Sequence, residues 1–102
     1  MNPGVLVRKR AIEALLAVES GEIGSQAAVR DALAAAPQLQ PRDRGLLTEL
    51  VYGVLRRQRA LDRWLDTACK KGLASVTVKA LVCLRVGTYQ LAALSRVPDY
   101  AA

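Results

Sequence analysis

Eleven of the 15 basic residues in this 102-residue chain are arginine, and Arg56, Arg57, Arg59 and Arg63 stand close together near its middle. Arginine forks onto phosphate and stacks on bases better than lysine does, so such a cluster suits the gripping of a polyanion. Tyr52 adds an aromatic ring one helical turn earlier, and Lys70 and Lys71 extend the basic run. A second basic group, Arg8-Lys9-Arg10, lies near the start. From residue 56 to residue 71 there are six cations and two acids, and the whole chain carries a net +6 with a pI near 9.9. This balance points to nucleic acid first and to an anionic membrane surface second. The bland alternative is a solvated basic face that only aids solubility.

Other chemistry is poorly represented. Histidine is absent, which removes the commonest general base and the commonest zinc ligand. Glu49, Asp62 and Asp66 sit at helical spacing among arginines, a pattern of ion pairing rather than acid–base catalysis. Cys69 and Cys83 form no C-x-x-C pair and read as small core residues in a reducing cytosol. Gly21-Glu22-Ile23-Gly24 lacks the Gly-Lys-Ser/Thr of a phosphate loop and reads as a turn. No catalytic, cofactor or metal site is expected. Strictly apolar runs such as residues 80–84 are far too short to span a bilayer, and no signal peptide is recognisable. A cytoplasmic protein that avoids membranes is expected.

The elements that would hold these residues are helical. Apolar residues make up 52%, alanine and leucine dominate, and phenylalanine is absent, so an all-α domain with an aliphatic core is expected over residues 1–102. Asn2 and Pro3 start a first helix that places Val5, Ile12, Leu15 and Leu16 inward and stops at Gly21. Its early cations oppose the helix dipole, which suggests a function for them. Ser25 can cap a second helix running to Ala36, with Ala28, Val29, Ala32 and Leu33 on a narrow apolar face, ended by Pro37.

Residues 43–65 read as one central helix. Leu47, Leu50, Val51, Val54, Leu61 and Leu65 form its stripe, and Arg56, Arg59 and Arg63 share the other side. Gly45 and Gly53 within it mark close crossings by another helix. Ser75 or Thr77 can cap a last helix through Leu94 that is apolar nearly all round and should be central. Arg85 inside it needs a carboxylate or carbonyl partner, and Trp64 reads as a core anchor before a base-stacking platform. A turn over residues 95–98 and a new helix from Asp99 would follow.

Two blocks, DRGLLTELVYGVLRRQRALDRWLD and ALVCLRVGTYQLAALSRVPDYAA, resemble the N-terminal domain of the ribosomal RNA cytosine-C5 methyltransferases, a NusB-like helical module. The resemblance implies a NusB-like antiparallel bundle, incomplete at its C-terminus, without the catalytic domain. It also implies ribosomal RNA as partner, bound through Arg8, Lys9, Arg10, Tyr52, Arg56, Arg57, Arg59, Arg63, Lys70 and Lys71. The family's cysteine nucleophile and S-adenosylmethionine belong to the catalytic domain, so this chain alone should not methylate. Two other readings are a NusB-type transcription antitermination module that binds a protein partner, and a fragment that self-associates through an exposed core side.

Overall fold

The computed structural model describes residues 2–95, and these are helical throughout apart from short connections. Five α-helices follow one another: α1 (Pro3–Glu19), α2 (Ser25–Ala34), α3 (Pro41–Arg56), α4 (Gln58–Ala68) and α5 (Val78–Ser95), with a single 3-10 turn at Leu73–Ser75. The all-α expectation holds among the described residues. Helix α5 includes Ser95, which was expected in a turn. The rest of that turn and the helix expected from Asp99 lie outside the described residues.

The starts and stops follow local chemistry. The Asn2 side chain accepts a hydrogen bond from the Gly4 amide at 2.7 Å, and Pro3 opens α1 with no amide to lose. Gly21 stops it with φ +80°, a left-handed conformation that disfavours a Cβ. Helix α2 has Gly24 as N-cap, and Ser25 is its first residue rather than its cap. Pro41 opens α3, Asp43 lies in its positive first turn, and Thr77 caps α5 by accepting from the Ala80 amide at 3.2 Å.

Helix α1 is the central element and packs against α2, α3 and α5. Leu6, Val7, Ala11, Ala14 and Leu15 are buried, Ile12 and Leu16 are partly buried, and Val5 is 55% exposed. The expected stripe of Val5, Ile12, Leu15 and Leu16 is therefore mis-centred. Apolar residues occur on every side of α1, and the neighbours choose which of them are covered. The small residues Ala28 and Ala32 let α2 approach closely, while Ala36 and Leu39 bury the connection to α3.

The central helix expected over residues 43–65 is two helices. Arg57, at φ −108° and ψ 13°, leaves the helical region and ends α3 as it begins α4. All six residues of the expected stripe are nonetheless buried. The amide bonds from Arg57 to the Gly53 carbonyl and from Leu61 to the Arg57 carbonyl persist on either side of the break, and Leu61 and Leu65 stay buried. After the break α4 packs mainly on α5.

Helix α5 is not central. Val82, Arg85, Val86 and Tyr89 make a single buried stripe, whereas Val78, Cys83, Leu84 and Leu91 are exposed. The Tyr89 ring fills the space beside Gly53 of α3, where an added Cβ would overlap it, and its hydroxyl hydrogen-bonds the Glu49 carboxylate. Gly53 thus admits a side chain rather than a helix backbone. Gly45 has nothing near it and marks no crossing.

Candidate nucleic-acid interface

The break at Arg57 creates a corner, and the corner gathers the arginines. Arg56, Arg57, Arg59 and Arg63 line one open groove with Leu55, Gln58 and Ala60. Arg56 ends α3, Arg57 is the joint, and Arg59 and Arg63 stand one turn apart on α4. All four are exposed. Arg56 lies 3.6 Å from Glu49, an exposed pairing of little stability. Among the described residues, Arg57, Arg59 and Arg63 form no salt bridge. Exposed guanidinium groups without carboxylate partners keep their donors available for phosphate oxygens. Leu55, Gln58 and Ala60 were not among the residues singled out from sequence, since only the turn in the chain gives them a place in the groove.

The other basic residues lie elsewhere. Tyr52 is half-buried against the core and does not line the groove. Lys70 and Lys71 are exposed beyond the end of α4, in the turn made by Gly72 at φ +74°. There Asp66 accepts from the Leu73 amide at 3.0 Å, a local cap rather than ion pairing. In α1, Arg8 donates to the Gly4 carbonyl at 2.9 Å and Arg10 reaches Glu13 at 2.6 Å, while Lys9 is exposed. Arg10 lines a shallow groove between α1 and α2. The end of α1 that meets the corner is the opposite one, where Leu15, Val18 and Glu19 share a cavity with Leu55 and Gln58. Ten residues of helix separate Arg8 from Val18, about 15 Å along the axis. The structure therefore does not merge Arg8-Lys9-Arg10 with the corner into one groove.

An ion cluster built on the buried Arg85 and two partly exposed carboxylates stands behind the corner. Arg85 is 5% exposed and forks onto Asp62, with Nε and Nη2 each 2.8 Å from a carboxylate oxygen. Its Nη1 donates to Glu19 at 3.0 Å. The Asp62 hydrogen bonds raise the Arg85 pKa above its ordinary value, burial opposes this, and Glu19 raises it further. The expected carboxylate partner is thus two carboxylates, joining α1, α4 and α5. Asp62 is a structural partner rather than a surface one. No sequence signal picks out Glu19, which stands 66 positions from Arg85.

Beside the corner, Trp64 is 60% exposed and is not a core anchor. It lines a mainly apolar groove between α4 and α5 with Arg57, Ala60, Leu61, Thr88, Leu91 and Ala92. Cys69 is half-buried and Cys83 is exposed, against the expectation of core positions. Neither lines any of the grooves described above. Among the described residues no cluster of ligands could hold a metal ion, and no helix is long and apolar enough to cross a membrane.

The fold and the arginine corner define an all-α module with an exposed basic face. The chain belongs to the NusB family, whose model matches residues 6–102. It is 36% identical over 96 residues to a probable ribosomal RNA small subunit methyltransferase B of Bacillus subtilis, covering 94% of this chain and 21% of that protein. A protein of the same description from Synechocystis is 41% identical over 64 residues, covering 63% of this chain and 14% of that relative. The transcription antitermination protein NusB of Lacticaseibacillus casei is 35% identical over 101 residues, covering 94% of this chain and 70% of that protein. The chain thus spans about a fifth or less of the methyltransferase relatives it matches. No solved structure matches it.

Proposed function

We propose that this chain is an RNA-binding helical domain that docks a ribosomal RNA cytosine-C5 methyltransferase on small-subunit ribosomal RNA. The observation that carries the reading is the α3–α4 corner, where Arg56, Arg57, Arg59 and Arg63 converge on one exposed groove. The likeness to the Bacillus subtilis relative supports the choice of ribosomal RNA. In this reading, cysteine attack on cytosine and methyl transfer from S-adenosylmethionine take place on a separate catalytic domain. The corner supplies docking. Phosphate contacts position a protein without reading sequence, so specificity rests on RNA shape or on that other domain. Arg8, Lys9, Arg10, Lys70 and Lys71 add long-range attraction outside the groove, and Tyr52 supports the helix that carries Arg56.

The test is a titration of the chain with small-subunit ribosomal RNA fragments at several salt concentrations. Affinity should fall with a log–log slope of roughly 0.7 per phosphate contacted on single strands. The variant R56E/R59E/R63E should lose most binding while its helicity stays unchanged. Unaltered affinity in that variant would remove the corner from the interface.

A second reading is a NusB-type antitermination module that also binds a protein partner. The chain's coverage of 70% of the Lacticaseibacillus casei protein favours it. A protein partner recovered with the chain from its own cells in the absence of methyltransferase sequence would support this reading over docking.

A further inference from the structure

Among the described residues, Arg56 is the one arginine of the corner that forms a salt bridge; Arg57, Arg59 and Arg63 form none. Its partner Glu49 stands two turns earlier on the same face of α3, about 10 Å along the axis, and does not line the groove. Two exposed long side chains gain little from such a pairing when nothing else holds them. Here something does. The Glu49 carboxylate also accepts from the hydroxyl of Tyr89, which is 3% exposed and whose ring fills the space beside Gly53. Helix α5 thus holds the carboxylate in place, and the rotamer freedom that an exposed glutamate would lose on pairing is already lost in the fold.

We propose that Glu49, held by Tyr89, is a built-in rival to phosphate: it occupies Arg56 in the free protein and has to be displaced when RNA docks. The proposal rests on the RNA-binding reading above and adds to it a counter-ion that sets how much of the corner is open at the outset. An isolated anion that took Arg56 from Glu49 would exchange one ion pair for another and gain little. A strand already held by Arg57, Arg59 and Arg63 presents its next phosphate at high local concentration, and that phosphate displaces the carboxylate. The contact therefore favours an extended chain of phosphates over single anions. It also alters the salt dependence. The freed Glu49 takes up a cation from solution as Arg56 releases one from the RNA, so one contact's worth of counterion release is cancelled.

The experiment titrates the wild type and its variants with small-subunit ribosomal RNA fragments across a range of salt. Glu49→Gln should tighten binding at low salt by up to about 5-fold, the upper value for an exposed pair. It should also steepen the log–log slope by roughly 0.7, one more phosphate on single strands. Both gains should largely vanish in an Arg56→Gln background. Tyr89→Phe keeps the ring beside Gly53 and removes only the hydroxyl. It should tighten binding less than Glu49→Gln does and add nothing to that variant. Asp31→Asn removes an exposed acid from the α1–α2 groove and should leave affinity and slope as they are. Circular dichroism confirms that each variant is folded.

Equal gains from Asp31→Asn and Glu49→Gln, or a full Glu49→Gln gain in the Arg56→Gln background, would reduce Glu49 to one more negative charge and end the proposal. Unchanged affinity and slope in Glu49→Gln would also end it, and loss of binding in R56E/R59E/R63E would then keep the docking reading in place. Failure of the wild type to bind these RNAs would overturn both.

Discussion

The Arg85 guanidinium of α5 and the Asp62 carboxylate of α4 form a two-point fork, both contacts at 2.8 Å, beneath the corner that carries the arginine groove. Glu19 of α1 completes the cluster. One basic residue thus sets how three helices meet.

Removing one partner should be costlier than replacing the arginine. Asp62→Ala leaves a buried charge with Glu19 alone. It should cost on the order of 3 kcal/mol, the low end for breaking a buried pair, because Asp62 itself is partly exposed. Arg85→Met keeps the apolar length and should cost less. Chemical denaturation of both variants checks the order.

The Arg85 pairing should be insensitive to pH around neutrality. Its folded pKa lies above its unfolded one, so its contribution is full below the ordinary arginine value and is lost only as pH rises through the still higher folded value. The stability gap between the wild type and Arg85→Met should therefore stay flat between roughly pH 7 and 9. Thermal unfolding across that window reads it; a gap that closed there would mean that another titrating group controls the cluster.

The two glycines of α3 should respond oppositely to alanine. Gly53→Ala drives a methyl into the Tyr89 ring and should destabilise by about 1–3 kcal/mol. Gly45→Ala meets nothing and should stabilise by roughly 0.4–1 kcal/mol. Denaturation midpoints of the two single variants decide it.

The thiols should differ in access. Cys83 is exposed on α5, and Cys69 is half-buried at the end of α4. A thiol reagent under native conditions should modify Cys83 first, and Cys83→Ser should change stability by less than about 0.5 kcal/mol, as at other surface sites. Mass spectrometry of the partly labelled protein identifies the first thiol to react.

Much of the architecture was legible in the residue pattern. The buried stripe of α3 and α4, the Asn2 cap, the stop at Gly21 and the narrow face of α2 all follow from spacing and local hydrogen bonding. Such signals act within a few residues of chain. The need of Arg85 for an acidic partner was equally legible, because burial of an unpaired guanidinium is prohibitive wherever the helix lies.

Tertiary structure decided the rest. Nothing in Arg56-Arg57-Gln58 breaks a helix, since no proline or glycine is present there. The break at Arg57 accompanies the packing of α4 against α5, and it gathers the arginines into a corner that periodicity alone spread along one face. The same docking leaves Trp64 outside and covers only one stripe of α5. Helices rich in apolar residues on every side, α1 and α5, present several faces of similar hydrophobicity. Which face is buried is settled by the neighbours that reach it, and that information is not local to either helix.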